Sequence, residues 1–180
     1  MKRGVIFDVR HLYYLPQYLP VARRLKQVGI ASQFVFYLNS DKQLQAISER
    51  VVENEELKAA WVSNWTQALE IYLNKAADWL VFGNAIDDVE LINRVSKTAM
   101  MLHGIGPKAV YYDMPQHFPN VRFVEGEYRL KRLQAMYPDA CFVDTGYAKL
   151  DPAIADSPAI SVQDLGLDPT KKTILYAPTF

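Results

Sequence analysis

GVIFDVRHLYYLPQYLPVARRLKQVGIASQFVFYL, residues 4–38, reads as strand, helix and strand in immediate succession. Gly4 to Val9 is a short apolar run that ends in charge. Leu19 to Val28 then carries leucine and valine at helical spacing, and Gly29 stops it. Ser32 to Leu38 is rich in β-forming residues, and Asn39, Ser40 and Asp41 close it before the polar, helix-friendly stretch Lys42 to Leu57.

The same rhythm extends outward. Apolar runs at Asp78 to Phe82, Thr98 to Leu102, Val121 to Val124 and Cys141 to Val143 are separated by helical stretches such as Asp87 to Val95 and Tyr128 to Met136. Strands alternating with helices predict an α/β fold, a Rossmann-like parallel sheet with helices on both faces. Ligands in such sheets bind beyond the carboxyl ends of the strands. Chemistry is therefore expected at Asp8 to His11, Gly83 and Asn84, His103 to Lys108, Glu125 and Gly126, and Thr145 to Asp151.

Composition sets the outer limits. Of 180 residues half are hydrophobic and 22% are charged, which suits one compact globular domain. Lysine plus arginine and aspartate plus glutamate both number 20, so no global field draws the chain to nucleic acid, and no nucleic-acid partner is expected. Cys141 stands alone and cannot support an intramolecular disulfide, which fits a reducing cytoplasm. The opening MKRGVIFDVRH meets charge too early for a signal peptide, and no stretch approaches the roughly 18 apolar residues of a membrane span. Any membrane contact is expected to be peripheral, on the inner face. Tyr13, Tyr14, Tyr18, Arg23, Arg24 and Lys26 interleave aromatics with positive charge, which suits an anionic lipid surface but more often marks a helix packing its apolar side on a sheet. Trp61 and Trp65, four apart, are expected on one helix face, and all three tryptophans in the core.

Pro152, Pro158 and Pro169 fall among small and polar residues, so 152–172 reads as a linker between a domain at 1–151 and a fresh strand at 173–180. A strand opening so late is expected to belong to a further domain.

Two segments offer chemistry. Met100 to Lys108 is a strand that ends in His103 and turns through Gly104 and Gly106 to Lys108. An imidazole there can serve as a general base, glycines admit a ligand close to backbone, and Lys108 can meet a phosphate; alternatively His103 merely caps the strand. Asp144 to Asp151 again follows a strand and holds Gly146, Tyr147, Lys149 and Asp151, or is a solvated loop. His11 stands beside Asp8 and Arg10 after the first strand, either lining the cleft or satisfied within a loop. His117 reads as a surface or structural residue. No His, Cys and carboxylate grouping has metal-site spacing, and no cofactor is implied.

In order, the strand running into His103-Gly104 with Lys108 beyond, then Gly146-Tyr147-x-Lys149-x-Asp151, then Ile174-Leu175-Tyr176-Ala177-Pro178-Thr179, resembles the CDP-glycerol glycerophosphotransferases, including teichoic acid polymerases. The resemblance implies the N-terminal, acceptor-side half of a two-domain GT-B-type transferase. Such an enzyme moves glycerol phosphate from CDP-glycerol to a phosphorylated-glycerol or lipid-linked acceptor and releases CMP, in cell-wall or capsule synthesis. It implies His103 as catalytic base; Gly104, Lys108, Lys149, Asp151 and His11 are placed on the substrate side by their positions after the strands and, for the two lysines, by their charge. The Tyr-Ala-Pro-Thr strand would open the nucleotide-binding half, without which the domain would be inactive. The pattern departs from the family's Thr-Pro-Leu-Lys at Ile105 to Lys108, and from its Gly-Tyr-Pro-Arg-Asn-Asp at Ala148, Lys149 and Leu150. A ribitol-phosphate donor, a GT-B glycosyltransferase, a nucleotide-sugar epimerase half and a non-catalytic module that binds a phosphorylated polyol therefore stay open.

Overall fold

The computed structural model describes residues 4–104, 109–113, 118–154 and 161–176. The chain divides into two units, Met1–Lys149 and Leu150–Phe180. Among the described residues the first unit holds seven strands: β1 (Val5–Val9), β2 (Ser32–Tyr37), β3 (Ala59–Val62), β4 (Trp79–Phe82), β5 (Lys97–Met101), β6 (Val121–Val124) and β7 (Phe142–Asp144). All pair in parallel, in the order β3-β2-β1-β4-β5-β6-β7. Between them run α1 (Leu15–Gln27), α2 (Lys42–Asn54), α3 (Trp65–Lys75), the single turn α4 (Val89–Ile92) and α5 (Glu127–Met136).

The sheet is buried because its central strands are apolar on both sides. Every residue of β1 is buried. Val5, Phe7 and Val9 face a core built with Tyr14, Leu15, Tyr18 and Ala22 at the start and middle of α1. Ile6 faces the opposite core, where Ala68 and Tyr72 of α3 meet Val89 and Ile92 of α4. Phe7 pairs with Phe34 across the ladder, the rings stack at 5.0 Å, and Tyr18 of α1 packs 5.0 Å from Phe7. Each such buried aromatic removes enough apolar surface from water to contribute about 2 kcal/mol. A third core, with Tyr112, Val124, Leu133 and Phe142, seats α5 on β6 and β7.

The chain builds β1, β2 and β3 outward in one direction, then returns through α3 to lay β4 against the free side of β1. The neighbouring strands β1 and β4 thus send their following connections opposite ways, the switch point above whose carboxyl ends open α/β sheets bind ligands.

The Rossmann-like parallel sheet expected from the sequence is present. The tryptophan pairing is not. Trp61 lies in β3 and Trp65 opens α3, because Ser63 and Asn64 end the strand and Asn64 caps the helix by accepting a hydrogen bond from the Gln67 backbone N–H at 3.0 Å. All three tryptophans are half-buried rather than central. The aromatics of the first helical region divide similarly: Tyr14 and Tyr18 are buried against the sheet, while Tyr13 is half exposed. Among the described residues no helix is long and apolar enough to cross a membrane.

The second unit contains the short helix α6 (Asp151–Ile154) and turns in which Asp164 accepts from Ser161 and Asp168 accepts from Thr170. Residues 173–176 are assigned to no strand, and the remainder of the segment expected to open a further domain, 177–180, lies outside the described residues. Ile174, Leu175 and Tyr176 are 90, 86 and 85% exposed, and a strand exists only where a partner edge supplies its ladder bonds.

Candidate functional site

His103 lies two residues beyond β5, at the carboxyl edge of the sheet. Its Nδ1 sits 3.0 Å from the carbonyl oxygen of Gly83, the residue after β4. A carbonyl oxygen only accepts, so Nδ1 carries the hydrogen and the neutral ring keeps its lone pair on Nε2. That is the tautomer a proton acceptor needs.

Aromatic rings fix the imidazole. Tyr14 stacks on it at 5.1 Å with 25° between the planes, and Tyr13 meets it edge-on at 4.8 Å. His11 completes the box, stacked on Tyr13 at 5.1 Å and edge-on to Tyr14 at 5.4 Å. Burial, reinforced by the nearby guanidinium of Arg10, holds the His11 imidazole below its ordinary value, so it favours the neutral form. Gly83 is what lets the box close. A Cβ at that position would lie 2.6 to 2.8 Å from ring carbons of Tyr14.

The backbone around His103 is tied to the next turns. The Tyr147 hydroxyl, past β7, donates to the His103 carbonyl at 2.5 Å. Gln17, buried in the first turns of α1, accepts from the Lys149 backbone N–H at 2.9 Å. A Cβ on Gly104 would stand 3.3 Å from the Tyr111 hydroxyl.

A cavity of about 530 Å³ opens beside His103, lined among others by Tyr13, Asn84, Tyr111 and Arg122. Arg122 belongs to β6 and is only 1% exposed. Its guanidinium donates to the carbonyls of Asp113, at 3.2 Å, and Tyr111, which pins the Ala109–Tyr112 turn across the cavity. Burial, with Arg129 nearby, pushes Arg122 down to about 10, so it still carries its charge at neutral pH. The arrangement therefore joins a proton acceptor of defined tautomer, aromatic walls and a fixed positive charge. Such a site can orient a polar, negatively charged substrate and take a proton from its hydroxyl.

Of the residues singled out in the sequence, His103, His11 and Gly104 converge here. Lys149 lies on the neighbouring turn, anchored through its backbone with its side chain at the surface. Asp151 belongs to the second unit. Lys108 and His117 lie outside the described residues. Sequence reasoning missed the roles of Tyr13, Tyr14, Tyr111, Tyr147 and Arg122, and the Gly83 carbonyl as partner of His103. The available signal was position: Tyr13 and Tyr14 follow a central strand directly. Among the described residues no three His, Cys, Asp or Glu side chains converge as a metal site would require.

No family model, no curated protein and no solved structure matches the chain.

Proposed function

We propose that this domain is the acceptor side of a polyol-phosphate transferase that uses a CDP-linked donor such as CDP-glycerol. The observation that carries the reading is the hydrogen bond from His103 Nδ1 to the Gly83 carbonyl, at the carboxyl edge of a Rossmann-like sheet. It leaves Nε2 as the acceptor, beside a cavity with a fixed positive charge. The sequence resemblance supplies the reaction.

In that reaction an acceptor hydroxyl attacks the β-phosphorus of the donor. The new oxygen–phosphorus bond forms as the bond to CMP breaks, and CMP leaves with the electron pair. Nε2 of His103 takes the hydroxyl proton. Arg122 and the backbone around Gly104 add positive potential where the acceptor's phosphate would lie, and Lys108 and Lys149 are the further cations the reading assigns to it.

The test is His103→Ala in the two-domain transferase, with CMP release from CDP-glycerol and the melting midpoint measured on one preparation. Turnover should fall by roughly 10² to 10⁴, the usual contribution of a positioned general base, with the fold retained. A folded variant with near-normal turnover removes the assignment.

A further inference from the structure

Arg10 follows β1 by one residue, at the carboxyl edge that carries the candidate site, and its surroundings are built rather than incidental. Its guanidinium lies 4.8 Å from the ring centroid of Trp65 and 5.7 Å from that of Tyr37. Both rings are locked by hydrogen bonds of their own. Trp65 donates from Nε1 to Asp88 Oδ2 at 2.6 Å, and Tyr37 donates from its hydroxyl to Asp8 Oδ1 at 3.0 Å. Asp8 is 2% exposed, and the same oxygen accepts from the Tyr72 hydroxyl at 2.5 Å.

The nearest carboxylate is thus engaged by two phenols. No described carboxylate comes within 4.0 Å of the Arg10 guanidinium. An arginine needed only to neutralise Asp8 would sit in contact with it. This one is instead held over two fixed aromatic faces, partly exposed; Tyr37 and the charge of Asp8 engage part of its planar fork, and its other donors can meet an oxyanion. His11, the next residue, stacks on Tyr13 at 5.1 Å, and Tyr13 meets His103 edge-on at 4.8 Å, so one chain of rings links the residue beside Arg10 to the imidazole along the sheet edge.

We propose that Arg10 forms a second anion subsite, which grips a phosphate ester of the acceptor while a different hydroxyl of that molecule faces His103. The inference rests on the transferase reading for the identity of the ligand, a phosphorylated polyol, but not for the binding itself. Guanidinium recognition of a phosphate is bidentate and planar, so lysine at this position keeps the charge and loses the geometry.

The experiment follows the Arg10 side-chain Nε–H resonance of the full chain during titration with sn-glycerol 3-phosphate at constant ionic strength. In the wild type the resonance should move saturably. The Arg10 variants lack that reporter and are followed by calorimetric titration with the same ester, where Arg10→Lys should weaken binding by roughly ten-fold or more, the usual effect of losing charge-assisted hydrogen bonds. Arg10→Met should weaken it further, to what the Arg122 side of the cavity holds by itself, and the exposed-site control Arg24→Gln should leave it unchanged. Trp65→Leu keeps the arginine but removes its platform, and should weaken binding even where Arg10→Met fails to fold. Vesicles of phosphatidylglycerol form a parallel arm. Loss of sedimentation in Arg10→Lys identifies a lipid headgroup as the source of the phosphate, and loss confined to the soluble ester identifies a free one. An unmoved Arg10 resonance, or wild-type affinity in folded Arg10→Lys and Trp65→Leu, overturns the subsite whatever the enzyme does. A transferase assay without turnover would remove the reaction and leave the subsite standing.

Discussion

A single missing side chain at Gly83 supports the geometry around His103. The Gly83 carbonyl sets the imidazole tautomer, and the absent Cβ admits the Tyr14 ring that stacks on the same imidazole. Gly83→Ala forces a methyl into ring carbons 2.6 to 2.8 Å away, so Tyr14 or the β4 turn must shift. Overpacking of this kind costs about 1–3 kcal/mol. We expect a lower melting midpoint and, in the transferase, a turnover loss larger than the fraction unfolded explains, because both supports of His103 move together. A variant that melts lower but keeps full turnover per folded molecule would show that the tautomer bond does not matter. His103 itself was legible in the sequence, since a histidine at a strand's carboxyl end followed by glycine marks a ligand edge. Its support was not, because a carbonyl acceptor carries no side-chain signature and Tyr13 and Tyr14 read equally well as surface aromatics.

Elements decide what such residues can do. Asn64 separates β3 from α3, and its side chain holds the Gln67 N–H at 3.0 Å. Asn64→Ala should cost about 1 kcal/mol, the usual loss of an N-cap, and thermal melting of the variant reads it directly. An unchanged midpoint would mean that Trp65 and Tyr72 alone anchor the helix. The sequence predicted β1, β2 and β4 to β7 to within a residue or two but passed over β3. That strand, Ala59–Val62, opens on two helix-favouring alanines and follows the helical stretch ending at Leu57 with no glycine or proline between them, so the sequence carries no sign of a new element there. Strand β1 carries a titration of its own. Burial raises the Asp8 carboxyl above its ordinary 3.8, although the Tyr72 and Tyr37 hydroxyls, Arg10 and His11 all favour the charged form. Between 3.8 and the raised folded value the native state keeps a proton that the unfolded chain has released. Stability from this group is therefore fully present below 3.8 and falls as pH rises through the folded value. Asp8→Asn cannot titrate. Its melting midpoint should gain on the wild type as pH rises above about 4, where an ordinary aspartate has ionised. A difference between the two proteins that stays constant with pH would place Asp8 at its ordinary value.

At the scale of the molecule, the parallel sheet brings β1 and β4 together where dinucleotide-binding members of this fold hold their ligand. That use needs a glycine-rich turn after β1, so that a pyrophosphate can approach the backbone at the start of α1. Here the turn reads Arg10-His11-Leu12-Tyr13-Tyr14, and its rings pack on one another and on His103. The space a pyrophosphate would enter is filled by side chains, and the open volume lies instead beside His103 and Arg122. The transferase reading agrees, since it gives the nucleotide to a different domain and leaves this one the acceptor. Neither NAD nor CMP should then bind this chain with a dissociation constant tighter than about 1 mM, equivalent to roughly −4 kcal/mol. Calorimetric titration of each is the measurement, with sn-glycerol 3-phosphate as the comparison expected to bind. Sub-millimolar CMP affinity would mean that the aromatic box opens for a nucleotide, and the division of labour between acceptor and donor domains would have to be abandoned.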